Sequence, residues 1–471
     1  MKRWLLISLF IFFFFDVPKE AAAGQTLQQL IDAAPAHGTI RLTGQTYIGD
    51  IVIDKPLTII GTKGTVIQGS GRGNVISIKA PHVTITHVTV TNSGKSRSTQ
   101  EEYAGIKVYS DYNTLEHITV KQSFHGIYLS QAHHNRIANV RVIGEQNGEI
   151  AGQGNGLHIY YSNFNELEHN TIIGTRDGIF FDYANHNVAK GNEVSHTRYG
   201  LHYMYSDDNA FDDNTFMLNN GGAAIMNSNR IVLKNNRFFF NKGMRSFGLL
   251  LQMANDNRII GNTFYQNERG LYIDQSNDNF LQRNVFLQNE IGIELWSSSQ
   301  RQTFTENRIW KNTIAVARLG GGDRNRWDFR GVGNDWGGEA ALLDLNQDGK
   351  GDSPFRYASS FHKLAEENEL AYLFLSSPSL GVYEAINEWR QTDEVMAVDH
   401  APLVKKTISA GWWWGLLGFG AIAVIVPKRS IPVRSFSGDL IKKSPLGMMQ
   451  GCQTIPTIMP RRTSDELYTK L

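Results

Sequence analysis

Large apolar residues alternate with other side chains in short bursts along the middle of the chain, each opened by a glycine. They read GIKVY, GIYLS, GLHIY, GIFFD, GLHYM, GAAIM, GLLLQ, GLYID and GIELW. Alternation of period two predicts a β-strand. The opening glycines are Gly105, Gly126, Gly156, Gly178, Gly200, Gly222, Gly248, Gly270 and Gly292; six of the eight intervals are 21 or 22 residues, and the others are 30 and 26. A second marker keeps step: Asn170, Asn192, Asn214, Asn236, Asn262, Asn284 and Asn307. No unit has room for an amphipathic helix, so helical repeats and leucine-rich horseshoes fit poorly, and a propeller blade needs about 40 to 50 residues. The pattern predicts an all-β fold, a right-handed parallel β-helix of about 22-residue coils. Equivalent residues on successive coils then lie about 4.8 Å apart. A buried Asn at the same turn of every coil can hydrogen-bond its neighbours above and below, so the Asn series is assigned a structural role.

The ends break the pattern. Residues 1–23 read as a secretory signal: Lys2 and Arg3, an apolar run from Trp4 to Phe15, then Ala21-Ala22-Ala23. Thr26 to Ala34 shows a helical pattern with Leu27, Leu30 and Ile31 on one side, suited to capping the first coil of a solenoid spanning 24–319. A cap and helical region follows over 320–406, with helices expected at His362 to Leu375 and Leu380 to Trp389. Within it, Asp344, Asn346, Asp348 and Gly349 imitate the opening of a calcium loop. Phe355 stands where an EF-hand needs its bidentate Glu, which leaves a looser calcium turn or, preferred here, a plain Asx-rich turn. The uncharged run Ile408 to Val426, in segment 407–427, has the length of a membrane anchor, and 428–471, without periodicity, is expected to be a disordered tail.

Composition narrows the function. With 46 basic and 45 acidic residues the net charge is +1, which gives no sign of nucleic-acid binding. The single cysteine, Cys452, excludes an internal disulfide framework and any multi-cysteine metal site.

Counting from each glycine, the first and third residues are apolar and point inward, so the second and fourth point outward. This outer strip holds Asp182, Asp274 and Glu294 as its acids, and only the last two could be neighbours. A polyuronate lyase or epimerase needs several carboxylates on adjacent coils with a basic residue nearby, and no convincing set is present. The strip does hold His158, His202, Met204 and Met226. Imidazole with thioether suits copper, Cu(I) above all, although Met also serves as adaptable packing. His202, Met204 and Met226 are close enough for one ion; His158, two coils from His202, could hold a transit position or line a docking face. The insertions 143–155 and 239–247 emerge at one corner beside this strip, where solenoids commonly dock partners.

The segments RYGLHYMYSDDNAFDDNTF, GLLLQMANDNRIIGNTF and GLYIDQSNDNFLQRNVF, with the cap NRWDFRGVGNDW to DLNQDGKGDSPFRY, resemble the NosD family of nitrous oxide reductase maturation proteins. The resemblance implies a secreted β-helix; the run Ile408 to Val426, a departure from the simplest soluble form of the family, would keep it membrane-associated, and the chain is read as non-enzymatic. It would work with an ABC-type ATPase and its membrane permease, in the periplasm or on the outer face of the cytoplasmic membrane. It would take copper from a small lipoprotein chaperone and help assemble the copper sites of nitrous oxide reductase. ATP hydrolysis would belong to a partner, since the chain has no G-x-x-x-x-G-K-[ST] loop. The rivals are a polyuronate-active β-helix enzyme and an adhesion module with no metal role.

Overall fold

Each 22-residue unit folds into one long strand and two short ones, as in Tyr199–Met204, Ala210–Asp212 and Thr215–Met217. Stacked coil on coil, these build three parallel sheets of 12, 13 and 12 strands. The computed structural model describes residues 19–20, 26–95, 102–145, 150–243, 245–322, 324–337, 342–375, 377–390 and 393–404. Residues 1–18 and 21–23 of the secretory signal, the 408–426 run and the 428–471 tail fall outside these residues. No helix among the described residues is long and apolar enough to cross a membrane.

The strands that carry the repeating glycines form one of the 12-stranded sheets, the glycine sheet, in which each strand pairs in parallel with its equivalent one coil away. The first and third residues after each glycine enter the core: Leu201 and Tyr203 are fully buried beside Ile179, Phe181, Ala223 and Ile225. The glycine has a steric cause. A Cβ at Gly200 would lie 2.6 Å from the Gly222 carbonyl oxygen and 2.8 Å from the Phe216 ring. That missing side chain would point inward, as Leu201 does, so alternation slips by one at the glycine. The residue before it therefore shares the outer face with the second residue after it: Tyr199 and His202, on either side of Gly200, have ring centroids 5.2 Å apart.

The Asn series forms the expected ladder. Asn192 donates through Nδ2 to Asn214 Oδ1 at 2.9 Å and to the Leu167 carbonyl at 2.8 Å. The Asn214 oxygen also accepts from the Asn192 backbone N–H at 2.9 Å. The run continues to Asn334, whose backbone N–H donates to Asp399 Oδ2 at 2.7 Å. Two further ladders, through Asn187 and through Asn241, occupy the other two corners of the coil. Burial requires such partners, and among the described residues of these ladders the Asn257 Nδ2 is left without one.

The first helix, α1 (Leu27–Ala33), closes the N-terminal end with Leu27, Leu30 and Ile31, its start fixed by a Thr26–Gln29 capping box. At the other end Trp327 stacks on Phe304 at 4.3 Å. Two helices, α2 (Phe361–Glu367) and α3 (Pro378–Trp389), then pack Phe361 and Leu380 with Ile291, Ile314 and Ala317 of the last coils. An antiparallel pair, Phe355–Ser359 with Glu394–Asp399, brackets those helices. The second strand of this pair lies beyond the two helices expected from the sequence. Asp344, Asn346 and Asp348 bond backbone N–H groups of their own turn, in keeping with a plain Asx-rich turn.

Candidate metal centre on the outer face of the glycine sheet

The register orders the outer strip. Lys107, Tyr128, His158, Phe180, His202 and Ala224 follow one another on successive coils, and beside them run Tyr160, Asp182, Met204 and Met226. This face is more covered than alternation alone suggests. His158 is 5% and His202 7% exposed, while Met204 and Met226 are half-buried. Three insertions at the same corner lead onto the face: between Thr89–Thr91 and Ala104–Val108, Arg141–Ile143 and Leu157–Tyr160, and Arg237–Phe239 and Phe247–Gln252. The third delivers Phe247, which packs with Ala224 and Leu250 and against Tyr199 and Met226.

His202 lies on a firm base. Its Nδ1 is 3.1 Å from Asp177 Oδ2, and its ring stacks on Phe180 with centroids 4.6 Å apart. Asp177 is in turn gripped by Arg198, Nε to Oδ1 at 2.9 Å and Nη2 to Oδ2 at 2.6 Å. Burial works to raise the Asp177 pKa, but the hydrogen bonds from His202 and Arg198 prevail and hold it at about 2. Two residues along the strand is Met204, paired in register with Met226 one coil on. The structure thus gathers His202, Met204 and Met226 on neighbouring positions of one face.

His158 belongs to a different cluster. It lies between Tyr128 and Phe180, at ring distances of 4.3 and 4.9 Å, so Phe180 separates it from His202. Glu102 Oε2 approaches His125 Nε2 at 3.1 Å and His158 Nδ1 at 3.7 Å. These three residues satisfy the distances of a metal site. The hydrogen bonds argue against that use. The Asn155 backbone N–H donates to His125 Nδ1 at 2.9 Å, so the neutral ring carries its proton on Nε2 and donates it to Glu102. A metal at Nε2 would require either an imidazolate or a stranded backbone N–H. The His125 hydrogen bond is the main cause of a Glu102 pKa lowered to about 2. Burial, with the nearby His125, pushes the His158 pKa well below its ordinary value, and among the described residues its Nε2 has no hydrogen-bond partner.

The acids of the strip are dispersed. Glu294 is buried beneath the C-terminal helices, bonded by Arg269 at 2.8 Å and Tyr372 at 3.3 Å. Asp274 accepts from Ser298 at 3.1 Å. Asp182 is half-buried, and burial, aided by the Glu102 charge, raises its pKa to about 6. Two residues that matter here, Asp177 and His125, escape the sequence reading because each directly precedes a glycine. Glu102 escapes it because it lies on an insertion. The Xaa-Gly-Ile-Xaa pattern holds the missing signal, once the glycine is counted as an inward position.

Residues 141–339, which include His158, Asp177, His202, Met204 and Met226, match the family model "Periplasmic copper-binding protein (NosD)". This stretch is similar to the NosD family. Residues 57–216 also match a right-handed β-helix model. Outside the family models, 127 residues are 23% identical to a "Probable ABC transporter binding protein NosD" of Pseudomonas aeruginosa, covering 27% of this chain and 30% of the relative. A protein of the same description from Stutzerimonas stutzeri is 24% identical over 151 residues, covering 32% and 35%. The chain therefore spans about a third of the length of these NosD relatives. Among solved structures, the periplasmic alginate epimerase AlgG is 14% identical with a TM-score of 0.49, covering 66% of this chain and 83% of the epimerase. The Azotobacter vinelandii mannuronan C-5 epimerase AlgE6 A-module is 13% identical with a TM-score of 0.46, covering 65% and 94%.

Proposed function

We propose that this protein is a non-enzymatic, extracytoplasmic accessory factor of an ABC-type transporter. It receives copper as cargo and presents it during assembly of the copper sites of nitrous oxide reductase. The observation that carries this reading is the grouping of His202, Met204 and Met226 on one partly covered face of the glycine sheet. One imidazole and two thioethers form a soft ligand set that favours Cu(I) over harder divalent ions. The apolar surroundings from Phe180 and Phe247 suit a low-charge cuprous ion. The family description and the transporter-binding names of the relatives support the same role.

The partners in this reading are an ABC-type ATPase with its permease, a copper chaperone lipoprotein and the reductase. His158, separated from His202 by Phe180, would serve as a transit position or line the docking face, and the insertions at the entering corner would form the docking side. Co-expression tests the reading. Nitrous oxide reductase matured beside a Met204→Leu/Met226→Leu variant should be copper-deficient, and full copper content beside that variant would refute the role of the strip. Dispersal of the strip's carboxylates weighs against the polyuronate-enzyme alternative, which needs a close cluster of them.

A further inference from the structure

His202 and His125 are both buried histidines on the outer face of the glycine sheet, and each touches a carboxylate. Their neighbours set them in opposite tautomers. A carboxylate can only accept, so the His202 nitrogen facing Asp177 must carry a proton. In the neutral ring this leaves the lone pair on Nε2, for which no described residue provides a hydrogen-bond partner. His125 is wired the other way round, with Nδ1 accepting from the Asn155 N–H and Nε2 donating to Glu102. One ring is left open to a metal ion and the other is closed to it.

We propose that Asp177 is a positioning residue for cargo binding: it holds His202 in the tautomer and orientation whose Nε2 lone pair is available to Cu(I). This rests on the copper reading given above. Three contacts make the arrangement specific. The two-point grip of Arg198 fixes the plane of the Asp177 carboxylate. Phe180 stacks on the His202 ring and Tyr199 meets it edge-on at 5.2 Å, which limits its rotation. The arrangement is the carboxylate–histidine pairing that elsewhere fixes the ring of a metal ligand.

The chemistry of an amide makes a sharp test. In Asp177→Asn the single amide oxygen satisfies the Arg198 guanidinium, and the NH2 group turns to His202 Nδ1. Nδ1 then accepts, the proton moves to Nε2, and the lone pair there is lost. In Asp177→Asn/Arg198→Met the oxygen is released to accept from Nδ1–H, so the original tautomer returns. Nitrogen-15 spectra of metal-free, histidine-labelled full-length protein read this directly, with the His202 signals assigned through His202→Gln. Wild type and the double variant should show protonated Nδ1, and Asp177→Asn protonated Nε2. Cu(I) affinity should fall about 10- to 100-fold in Asp177→Asn, the usual cost of losing such a partner, and recover in the double variant.

Protonated Nε2 in neutral wild-type His202 would overturn the proposal without reference to any variant. So would a loss of affinity in Asp177→Asn with an unchanged tautomer. Should His202→Ala lose copper while Asp177→Asn keeps it, the positioning role fails and the copper reading stands. Should His202→Ala bind copper as wild type does, the copper reading itself fails, and the positioning role with it.

Discussion

Met204 and Met226 are register partners on adjacent coils of the glycine sheet, and His202 precedes Met204 by two residues on the same face. Backbone spacings of about 5 Å across coils and about 7 Å along the strand place all three within reach of one ion. Leucine has nearly the volume of methionine, so Met204→Leu/Met226→Leu should unfold within about 1.5 kcal/mol of wild type. Denaturant melts check this and separate loss of copper binding from loss of fold.

The Asn192 amide donates to Asn214 and Leu167, and its oxygen accepts from Asn170. Asn192→Leu leaves groups of both neighbouring coils without partners in a buried corner. The expected destabilisation is about 1 to 3 kcal/mol. Wild-type stability in that variant would show that the ladder is incidental.

Asp182 makes the opposite prediction. Burial raises its folded pKa from 3.8 to about 6, so the native state holds a proton that the unfolded chain releases. Its charge therefore destabilises the fold increasingly as pH rises from about 4 to 6. Asp182→Asn should raise the melting temperature relative to wild type at pH 7.5 and have little effect at pH 4. An equal effect at both pH values would place the cause in packing rather than ionisation.

The Glu102–His125 contact bears on metal stoichiometry. Because His125 Nδ1 accepts a backbone N–H, this cluster is expected to hold no ion, despite distances that would allow one. Glu102→Gln should leave the number of bound copper ions unchanged. Loss of one bound ion per chain would show that the ring reorients and ligates.

Most of this architecture was legible because a solenoid repeats its own evidence. Nine glycine-opened bursts and the Asn170–Asn307 series mark the coil length, the sheet that faces outward and the buried corner. His202, Met204 and Met226 follow from alternation alone. Asp177 and His125 do not, because alternation slips at the glycine that follows each of them. Glu102 lies on an insertion with no periodicity to place it. The strands Phe355–Ser359 and Glu394–Asp399 pair across two intervening helices, a long-range contact that no local pattern announces.

The same limit applies to His158. Its position two coils from His202 was readable from the repeat, but its enclosure by Tyr128, Phe180 and Glu102 depends on side chains from three different segments. His158→Ala should accordingly lower Cu(I) affinity far less than changes at Met204 and Met226.

Competition titration of the purified full-length chain with a chromophoric Cu(I) chelator tests the central claim most directly. Wild type should withdraw one cuprous ion from the chelator, and Met204→Leu/Met226→Leu should bind it at least about tenfold more weakly, a difference of about 1.4 kcal/mol. A double-methionine variant that competes for Cu(I) as strongly as wild type would contradict the account: the strip would then be only a docking surface, with copper handled elsewhere.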